Sequence, residues 1–249
     1  MRAQLPRQSV KSAKKRPKPT LGLFITGTDT GVGKTRVAAA IARALVRHGW
    51  KVGVYKPAAS GCERVDKKLV SEDAVALWEA ACRPGTFAKV CPQLFAAPLA
   101  PHLAAEAEGK QLDEKLLRKG IDYWLERSDI VIVEGAGGLL SPLGEKKYVA
   151  DLARAFGFPL VVVAPNRIGT INQTLQTLLA AQAYALEVSG IVLSDLRPLD
   201  ALDPSVQSNP AELASRSSAP LLARLSYNGL ELDTTVDWPA LARPFKRRR

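Results

Sequence analysis

Short apolar runs recur along the chain, separated by longer stretches whose apolar residues follow helical spacing. The runs contain almost no polar alternation, which is typical of strands that are buried on both faces of a sheet. They are LGLFIT (21–26), KVGVYK (51–56), DIVIVEG (129–135), PLVVVAP (159–165), VSGIVLSD (188–195) and, less clearly bounded, APLLARL (219–225). The pattern therefore predicts six strands.

Four stretches between the runs predict helices. In residues 34–48, Val37, Ile41 and Leu45 form one apolar stripe, and Gly49 ends the helix. Each further helix follows a later apolar run or a loop. One of these helices begins at Ser71, one spans residues 112–126 and one spans residues 170–185.

Strands that alternate with helices predict an α/β fold with a doubly wound, mainly parallel sheet flanked by helices on both faces. In the usual doubly wound order the second strand lies beside the first. Residues 92–101 are rich in proline and are predicted to be irregular, and no element is predicted after about Asn228. We divide the chain into a basic tail (1–20), one domain (21–228) and a C-terminal extension that ends in a second basic tail (229–249).

The charge of the chain is concentrated at its two ends. Of its 249 residues, 35 are Lys or Arg and 24 are Asp or Glu, which gives a formal net charge of +11. Residues 1–20 hold seven basic residues and no acidic one, and residues 246–249 are all basic. Residues 21–245, between the two ends, hold 24 basic and 24 acidic residues and are neutral, so we expect no nucleic-acid-binding face and no membrane partner. Prolines and clustered lysines favour a solvated N-terminal tail over an organelle transit peptide.

Cysteine usage and hydrophobicity narrow the class of protein further. Cys62, Cys82 and Cys91 are odd in number and lack the spacing of metal ligands, so we interpret them as thiols in a reducing compartment and expect a cytoplasmic protein. No apolar run approaches the ~20 residues of a membrane helix. With 47% hydrophobic residues, the chain can bury a large core, which excludes a disordered chain.

The strongest motif is GTDTGVGKT (27–35), which lies between the first strand and the first helix. In such a P-loop, backbone N–H groups surround a polyphosphate, Lys34 adds charge toward the outer phosphates, and the Thr35 hydroxyl can ligate Mg²⁺. The sequence departs from the strict G-x-x-x-x-G-K-T pattern at one position. Thr28 occupies the position of the first glycine, and Gly27 directly precedes it. The flanking strand and helix favour a phosphate-binding loop over an ordinary glycine-rich turn.

Two charged residues at strand ends extend this site. Glu134 follows four apolar residues in IVIVEGAGG (130–138), so its carboxylate is predicted to enter the ligand crevice and hold Mg²⁺. Lys56 ends the second strand, and if that strand adjoins the first, Lys56 lies beside the phosphate loop. A second lysine there indicates an anion other than the nucleotide; the alternative is a solvated lysine. Asp73 either reaches the same metal or stabilises a helix start.

Six segments follow one another in the order and with the spacing of a known family. They are GTDTGVGKT (27–35), YKPAASG (55–61), SEDAVAL (71–77), FAAPLAPHLAAEAEGK (95–110), VEGAGGLLSPL (133–143) and the region around Asn172. On these segments, over about residues 21–225, the chain resembles the dethiobiotin synthase family. One P-loop is shared by many proteins, whereas six motifs in order are specific.

The resemblance implies an enzyme, a cyclo-ligase of biotin biosynthesis. An amine of 7,8-diaminopelargonate attacks CO₂ to give a carbamate, ATP phosphorylates the carbamate, and the second amine closes the ring of dethiobiotin and expels phosphate. Carbamate and γ-phosphate are both anions, and two unit charges 4 Å apart at an effective dielectric of ~20 repel by about 4 kcal/mol. Lys34, Lys56 and Mg²⁺ can offset a repulsion of that size.

The resemblance also implies roles for single residues. Lys56 and Lys34 match catalytic lysines, and Thr35, Asp73 and Glu134 match the ligands of Mg²⁺. The residues that match contacts of ATP are Gly31, Val32, Gly33, Lys34, Thr35, Arg36, Asp73, Glu134, Gly135, Ala136, Gly137, Ser194 and Asp195. The residues that match contacts of the substrate are Thr30, Lys56, Ser60, Gly169, Thr170, Ile171 and Asn172. In the family the last four receive the substrate carboxylate from a second subunit, which implies a homodimer.

Ser194 departs from the family, which often has asparagine at this position. A serine offers fewer donors and acceptors than an amide, so the nucleotide preference stays open. The alternative class is a P-loop switch ATPase of the partitioning or iron-protein type. Such proteins carry a signature lysine where this chain has Asp29, and they lack a lysine in the context of Lys56. A cobyrinate amidotransferase synthetase adds a glutaminase domain, which 249 residues are not expected to hold.

Overall fold

A computed structural model describes residues 19–198 and 203–246, so residues 1–18 of the predicted basic tail and residues 247–249 lie outside it. The strands are β1 (Leu21–Gly27), β2 (Val52–Tyr55), β3 (Glu63–Val65), β4 (Lys68–Val70), β5 (Ile130–Gly138), β6 (Pro142–Gly144), β7 (Lys147–Tyr148), β8 (Leu160–Pro165), β9 (Val188–Ser194), β10 (Leu221–Leu225) and β11 (Arg243–Pro244). The helices are α1 (Lys34–Arg47), α2 (Glu72–Ala80), α3 (Phe87–Val90), α4 (Pro101–Ala107), α5 (Glu114–Lys119), α6 (Asp122–Leu125), α7 (Val149–Phe156), α8 (Thr170–Ala183), α9 (Ser205–Arg216) and α10 (Trp238–Leu241). None of the described helices is long and apolar enough to cross a membrane.

One sheet organises the molecule. Its parallel strands follow the order β10-β9-β8-β1-β5-β2, and β11 pairs antiparallel with the start of β1. Every residue of β2 and β8 is buried, as expected of strands covered on both faces. The six apolar runs thus correspond to the six parallel strands, and the predicted α/β fold with a mainly parallel, doubly wound sheet is confirmed.

The prediction that β2 adjoins β1 is wrong. β5 lies between them, with Ile25 of β1 opposite Glu134 and Tyr55 of β2 opposite Val133. The first six residues of β5 are buried, and a long apolar strand gains most from a central position with neighbours on both sides. Lys56 therefore emerges beside Glu134, and the phosphate loop is one strand further away.

The helix predicted over residues 112–126 is broken into α5 and α6. The Tyr55 hydroxyl donates to the carbonyls of Leu116 and Leu117, at 2.9 and 3.1 Å. The Leu116 carbonyl also accepts the Gly120 N–H, at 2.8 Å, whereas the Leu117 carbonyl would accept the Ile121 N–H if the helix were continuous. A Cβ at Gly120 would lie 2.2 Å from the Tyr55 hydroxyl, so glycine is required where the two segments meet.

The structure also contains elements that the apolar pattern did not predict. The two hairpins β3–β4 and β6–β7 are too short to show periodicity. For α7 the sequence did carry signals: Asp151 accepts the N–H of Tyr148 at 2.9 Å, and Gly157 ends the helix at φ 67°. After Asn228, α10 and β11 lie where no element was predicted, and the Phe245 N–H donates to the Thr20 carbonyl at 3.0 Å.

Candidate active site

Residues 28–33 form the turn between β1 and α1. Gly31 and Gly33 have φ values of 72° and 91°, which glycine adopts without strain. A Cβ at Gly33 would also lie 2.3 Å from Ser194 Oγ. Helix α1 begins at Lys34 without an acidic residue in its first turn, so the exposed N–H groups of this turn can bind an anion.

Lys34 folds back over this turn. Its side chain is buried, and Nζ donates to the Asp29 carbonyl at 2.9 Å. Burial lowers the pKa of Lys34, and the charge of Glu134 opposes that shift. Because the carbonyl is neutral, an arriving phosphate offers the ammonium a stronger, charge-assisted partner.

Lys56 connects the two carboxylates that the sequence singled out. Its Nζ donates to Glu134 Oε1 at 2.6 Å and to Asp73 Oδ2 at 2.8 Å. The Thr35 hydroxyl donates to the same Glu134 Oε1 at 2.8 Å. The side chains of Lys56 and Glu134 are 5% and 1% exposed, whereas that of Asp73 is 56% exposed. We call Lys34, Thr35, Lys56, Asp73 and Glu134 the lysine cluster.

The charges of the lysine cluster support one another. Burial by itself lowers the pKa of Lys56, but the charges and hydrogen bonds of Glu134 and Asp73 outweigh burial and raise it. Burial likewise raises the pKa of Asp73, but Lys56 outweighs that effect and lowers it. Lys56 and Asp73 are therefore both charged at neutral pH, as a site for anions and a cation requires.

Glu134 carries an unfilled ligand position. Its Oε2 is buried and has no hydrogen-bond partner within the described ranges. The same part of the chain contains no group of three or more His, Cys, Asp and Glu that could hold a metal ion by itself. Mg²⁺ commonly takes one or two carboxylates and completes its shell with phosphate oxygens and water. Thr35, Asp73 and Glu134 thus fit an Mg²⁺ ion that arrives with a nucleotide.

A cavity of about 350 Å³ lies over the loop and the lysine cluster. It brings together thirteen of the site residues that the sequence predicted. They are Thr30, Gly31, Gly33, Lys34, Thr35, Arg36, Lys56, Ser60, Asp73, Glu134, Gly135, Ala136 and Gly137. Val32 is buried in the core beneath the loop. At Gly137, where φ is 70°, a Cβ would lie 2.2 Å from Ser141 Oγ, so both the backbone conformation and the packing require glycine at this position.

A second cavity, of about 450 Å³, adjoins the first at Leu196, which lines both. Asn166 and Asp195 lie in its wall. Asp195 accepts hydrogen bonds from Arg224 Nε at 3.0 and 2.8 Å and from Asn166 Nδ2 at 3.1 Å. Asn209 Nδ2 donates to Asn166 Oδ1 at 3.0 Å. We call Asn166, Asp195, Asn209 and Arg224 the amide cluster.

Ser194 lines neither cavity. Its side chain is fully buried, and its hydroxyl has no partner among the residues that the structure describes. It packs beneath Gly33. The neighbouring Asp195 carbonyl accepts a hydrogen bond from Arg36 at 2.9 Å, and Arg36 also donates to the Ser226 carbonyl at 2.7 Å. Arg36 therefore joins α1 to the loops after β9 and β10.

The residues predicted to receive the substrate carboxylate line neither cavity. Gly169, at φ 89°, precedes α8. Thr170 is buried and Ile171 is half-buried, whereas Asn172 is exposed. None of these four described residues lines the cavity over the lysine cluster. At the start of α8, Gly169 and Asn172 are thus the exposed members of this group.

The amide cluster contains residues that sequence reasoning missed. Asn166 directly follows the apolar run of β8, just as Lys56 directly follows β2. Its position at a strand end could therefore have identified it. Asn209 lies within α9 and Arg224 within β10, and no pattern in the sequence connects them with the site.

The fold and the glycine-rich loop define a P-loop nucleotide-binding protein. Its fold is similar to that of the signal recognition particle receptor FtsY from Elizabethkingia anophelis in complex with GDP, with a TM-score of 0.52, 16% identity and coverage of 91% of this chain and 63% of that chain. It is also similar to a chain of the MinC:MinD cell division protein complex of Aquifex aeolicus, with a TM-score of 0.50, 14% identity and coverage of 83% and 81%. These similarities concern the fold alone.

The amino-acid sequence identifies the family. Residues 21–231 match the family model described as AAA domain. ATP-dependent dethiobiotin synthetase BioD of Rhodopirellula baltica is 40% identical over 211 residues, 80% of this chain and 82% of that protein. The Anaeromyxobacter dehalogenans protein of the same name is 43% identical over 206 residues, 83% and 90%. The chain belongs to the dethiobiotin synthetase family, which confirms the resemblance and does not favour the switch ATPase.

Proposed function

We propose that this chain is an ATP-dependent cyclo-ligase that carboxylates 7,8-diaminopelargonate with CO₂ and closes the ring to dethiobiotin, with release of ADP and phosphate. The observation that carries the proposal is the position of Lys56. It is buried, and it bonds Glu134 and Asp73 beside a P-loop that already has its own lysine. A second buried ammonium has no task in nucleotide binding alone, but it suits a reaction that brings two anions together.

The two lysines are proposed to bind different anions. Lys34 is proposed to hold the outer phosphates of ATP, together with the N–H groups of residues 31–36. Lys56 is proposed to hold the carbamate oxygen that attacks the γ-phosphorus. In that step an oxygen–phosphorus bond forms to the carbamate while the bond to ADP breaks, and charge moves onto ADP. Since the site mainly positions reactants and neutralises their charge, losing either ammonium should slow the reaction strongly.

Mg²⁺ is proposed to lie between Thr35, Asp73 and Glu134, where it would neutralise charge on the phosphates. Glu134 Oε2, which has no hydrogen-bond partner among the described residues, supports this assignment. Lys56 at present bonds Glu134 Oε1 and Asp73 Oδ2. Its ammonium can leave these carboxylates for the carbamate only if another positive charge balances them.

The remaining wall of the cavity is proposed to hold the diamine. Thr30 and Ser60 supply hydroxyl groups at its rim, within the same cavity as Lys56. After phosphorylation, the second amine attacks the carbonyl carbon of the carbamic–phosphoric anhydride. The carbon–oxygen bond to phosphate breaks, and the amine proton is lost as the ring closes.

The test measures phosphate release by the purified full chain with Mg-ATP and bicarbonate, with and without 7,8-diaminopelargonate, and detects dethiobiotin by mass in the same samples. We expect phosphate release that requires the diamine, matched by dethiobiotin. ATP hydrolysis that ignores the diamine, with no dethiobiotin, would overturn the proposal in favour of a switch ATPase.

We further propose a homodimer in which residues 169–172 of one copy receive the substrate carboxylate bound in the other. The exposed Asn172 and the N–H groups at the start of α8 support this, because a helix N-terminus favours a carboxylate. The exposed Ile168, at 78%, and Leu179, at 65%, supply apolar surface along the same region.

A mixing experiment tests the shared site. Lys56→Met and Asn172→Ala variants are each purified, unfolded together and refolded at equal concentration. A mixed dimer contains one site with both substitutions and one with neither, so turnover should recover to roughly a quarter of the wild-type value. If turnover does not recover although the refolded mixture and the wild type are both dimeric, Lys56 and Asn172 act within the same chain.

We keep a cytoplasmic location as a proposal. It rests on Cys62, Cys82 and Cys91, all of which are free thiols, as expected in a reducing compartment. Imaging of the full chain fused to a fluorescent protein checks it.

A further inference from the structure

The second cavity is placed to receive the base of a nucleotide. It continues from the phosphate loop past Leu196, and Arg36 ties the segment that forms its wall to α1. A nucleotide whose phosphates lie on the loop would therefore direct its base toward Asn166 and Asp195. The inference rests on the proposed function in this respect, since ATP supplies the base.

Ser194 cannot read that base. Its hydroxyl is enclosed beneath Gly33, its side chain is fully buried, and it lines neither cavity. Any discrimination between bases must then come from residues in the wall of the second cavity. Of these, Asn166 and Asp195 are the polar side chains that lie deepest, at 7% and 5% exposed.

The hydrogen bonds of Asn166 determine what it can offer a ligand. Both amide hydrogens are used, because Nδ2 donates to Asp195 Oδ1 at 3.1 Å and to the Val206 carbonyl at 3.3 Å. Among the residues that the structure describes, Oδ1 accepts one hydrogen bond, from Asn209 at 3.0 Å. An amide oxygen has two lone pairs, so one remains. Arg224 holds the Asp195 carboxylate and so keeps the amide in this orientation.

We infer that Asn166 is the residue that selects the base, through the free lone pair of its Oδ1, and that it prefers bases with an amino group at the paired edge. Adenine and cytosine carry such an amino group. Hypoxanthine, guanine and uracil carry a carbonyl there, which would place one acceptor against another and leave Asn166 Oδ1 without a donor. Asn209, Asp195 and Arg224 are positioning residues for this amide.

The experiment measures nucleotide affinity of the full chain by calorimetry with Mg²⁺ and no diamine, for the matched pairs ATP and ITP, and CTP and UTP. Within each pair the amino group is replaced by a carbonyl. We expect about tenfold or more tighter binding of the amino partner, the size expected when a buried acceptor loses its donor. In Asn166→Ala the ratio within each pair should fall to near one, while Ser194→Ala, the matched control, keeps the wild-type ratio.

Equal affinity of the wild type for ATP and ITP would overturn the inference, as would loss of the ratio in Ser194→Ala. If Asn166→Ala does not fold, these two measurements still decide the matter. Failure of the proposed function would give a different result. The chain would then discriminate between the bases but would form no dethiobiotin when the diamine is added. If ATP and ITP both bound tightly and dethiobiotin formed equally well with each, only the role of Asn166 would be overturned.

Discussion

The lysine cluster and the amide cluster are both buried polar groups at one edge of the sheet, but they are built differently. The lysine cluster consists of opposite charges whose partners a substrate, phosphate or cation can replace. One of its oxygens, Glu134 Oε2, has no hydrogen-bond partner in the part of the chain that the structure describes. In the amide cluster, Asn166 and Asp195 are held by internal partners. The comparison teaches that one cluster is arranged to exchange partners during a reaction, whereas the other is arranged to keep one orientation.

Replacing Lys56 tests the exchanging cluster and should have the largest effect. In Lys56→Met we expect turnover to fall by about 10³-fold, because the charge that we propose to hold the carbamate is lost, while ATP affinity changes little. Steady-state kinetics and calorimetry measure the two quantities. Lys51→Met is the matched control, because Lys51 is exposed and directly precedes the strand that Lys56 follows. Turnover near that of the wild type in Lys56→Met would contradict the role of Lys56.

Replacing Asp195 tests the cluster that keeps its orientation. Asp195→Ala leaves Arg224 and the Asn166 amide without their partner, so the free energy of unfolding should fall by about 2 kcal/mol. Urea unfolding measures this change. Glu212→Ala removes the exposed partner of Arg216, and it should cost less than about 0.5 kcal/mol. Equal costs for the two variants would mean that the amide cluster adds no stability.

The pH dependence of stability sharpens the comparison. Because Glu134 and Asp73 raise the pKa of Lys56 above its ordinary value of 10.5, the stabilisation by Lys56 is fully present below pH 10.5 and is lost as the pH rises through the raised pKa. The difference in unfolding free energy between wild type and Lys56→Met should therefore shrink above pH 10.5. A constant difference across that range would show that the ammonium makes no net contribution in the folded state.

The N-terminal tail should have the smallest effect. Residues 1–18 contribute to neither cluster as proposed, so their removal should leave turnover and nucleotide affinity unchanged within error. Thr20 stays in this variant, because its hydroxyl donates to the Leu125 carbonyl at 2.6 Å. A large loss of turnover in the truncated protein would mean that the tail is part of the enzyme.

Much of the lysine cluster could be predicted from sequence. The glycines of the P-loop, Lys34 and Thr35 are contiguous, and Glu134 and Lys56 each follow a buried apolar run. Strand-end polar residues of a parallel sheet meet at one edge whatever the order of the strands. For this reason Lys56 joined the site although the predicted neighbour of its strand was wrong. The break at Gly120 could not be predicted, because it depends on the Tyr55 hydroxyl, 65 positions earlier in the chain.

The sequence by itself determined the fold class, the phosphate loop and the charged residues around it, because each depends on local spacing or on a short motif. Only the tertiary structure decided that Glu134 lies next to Lys56, that Ser194 is enclosed beneath Gly33, and that Asn166 is held by Asn209 and Asp195. These contacts depend on the strand order, which follows from how the whole sheet buries its apolar surface. No local pattern encodes that order.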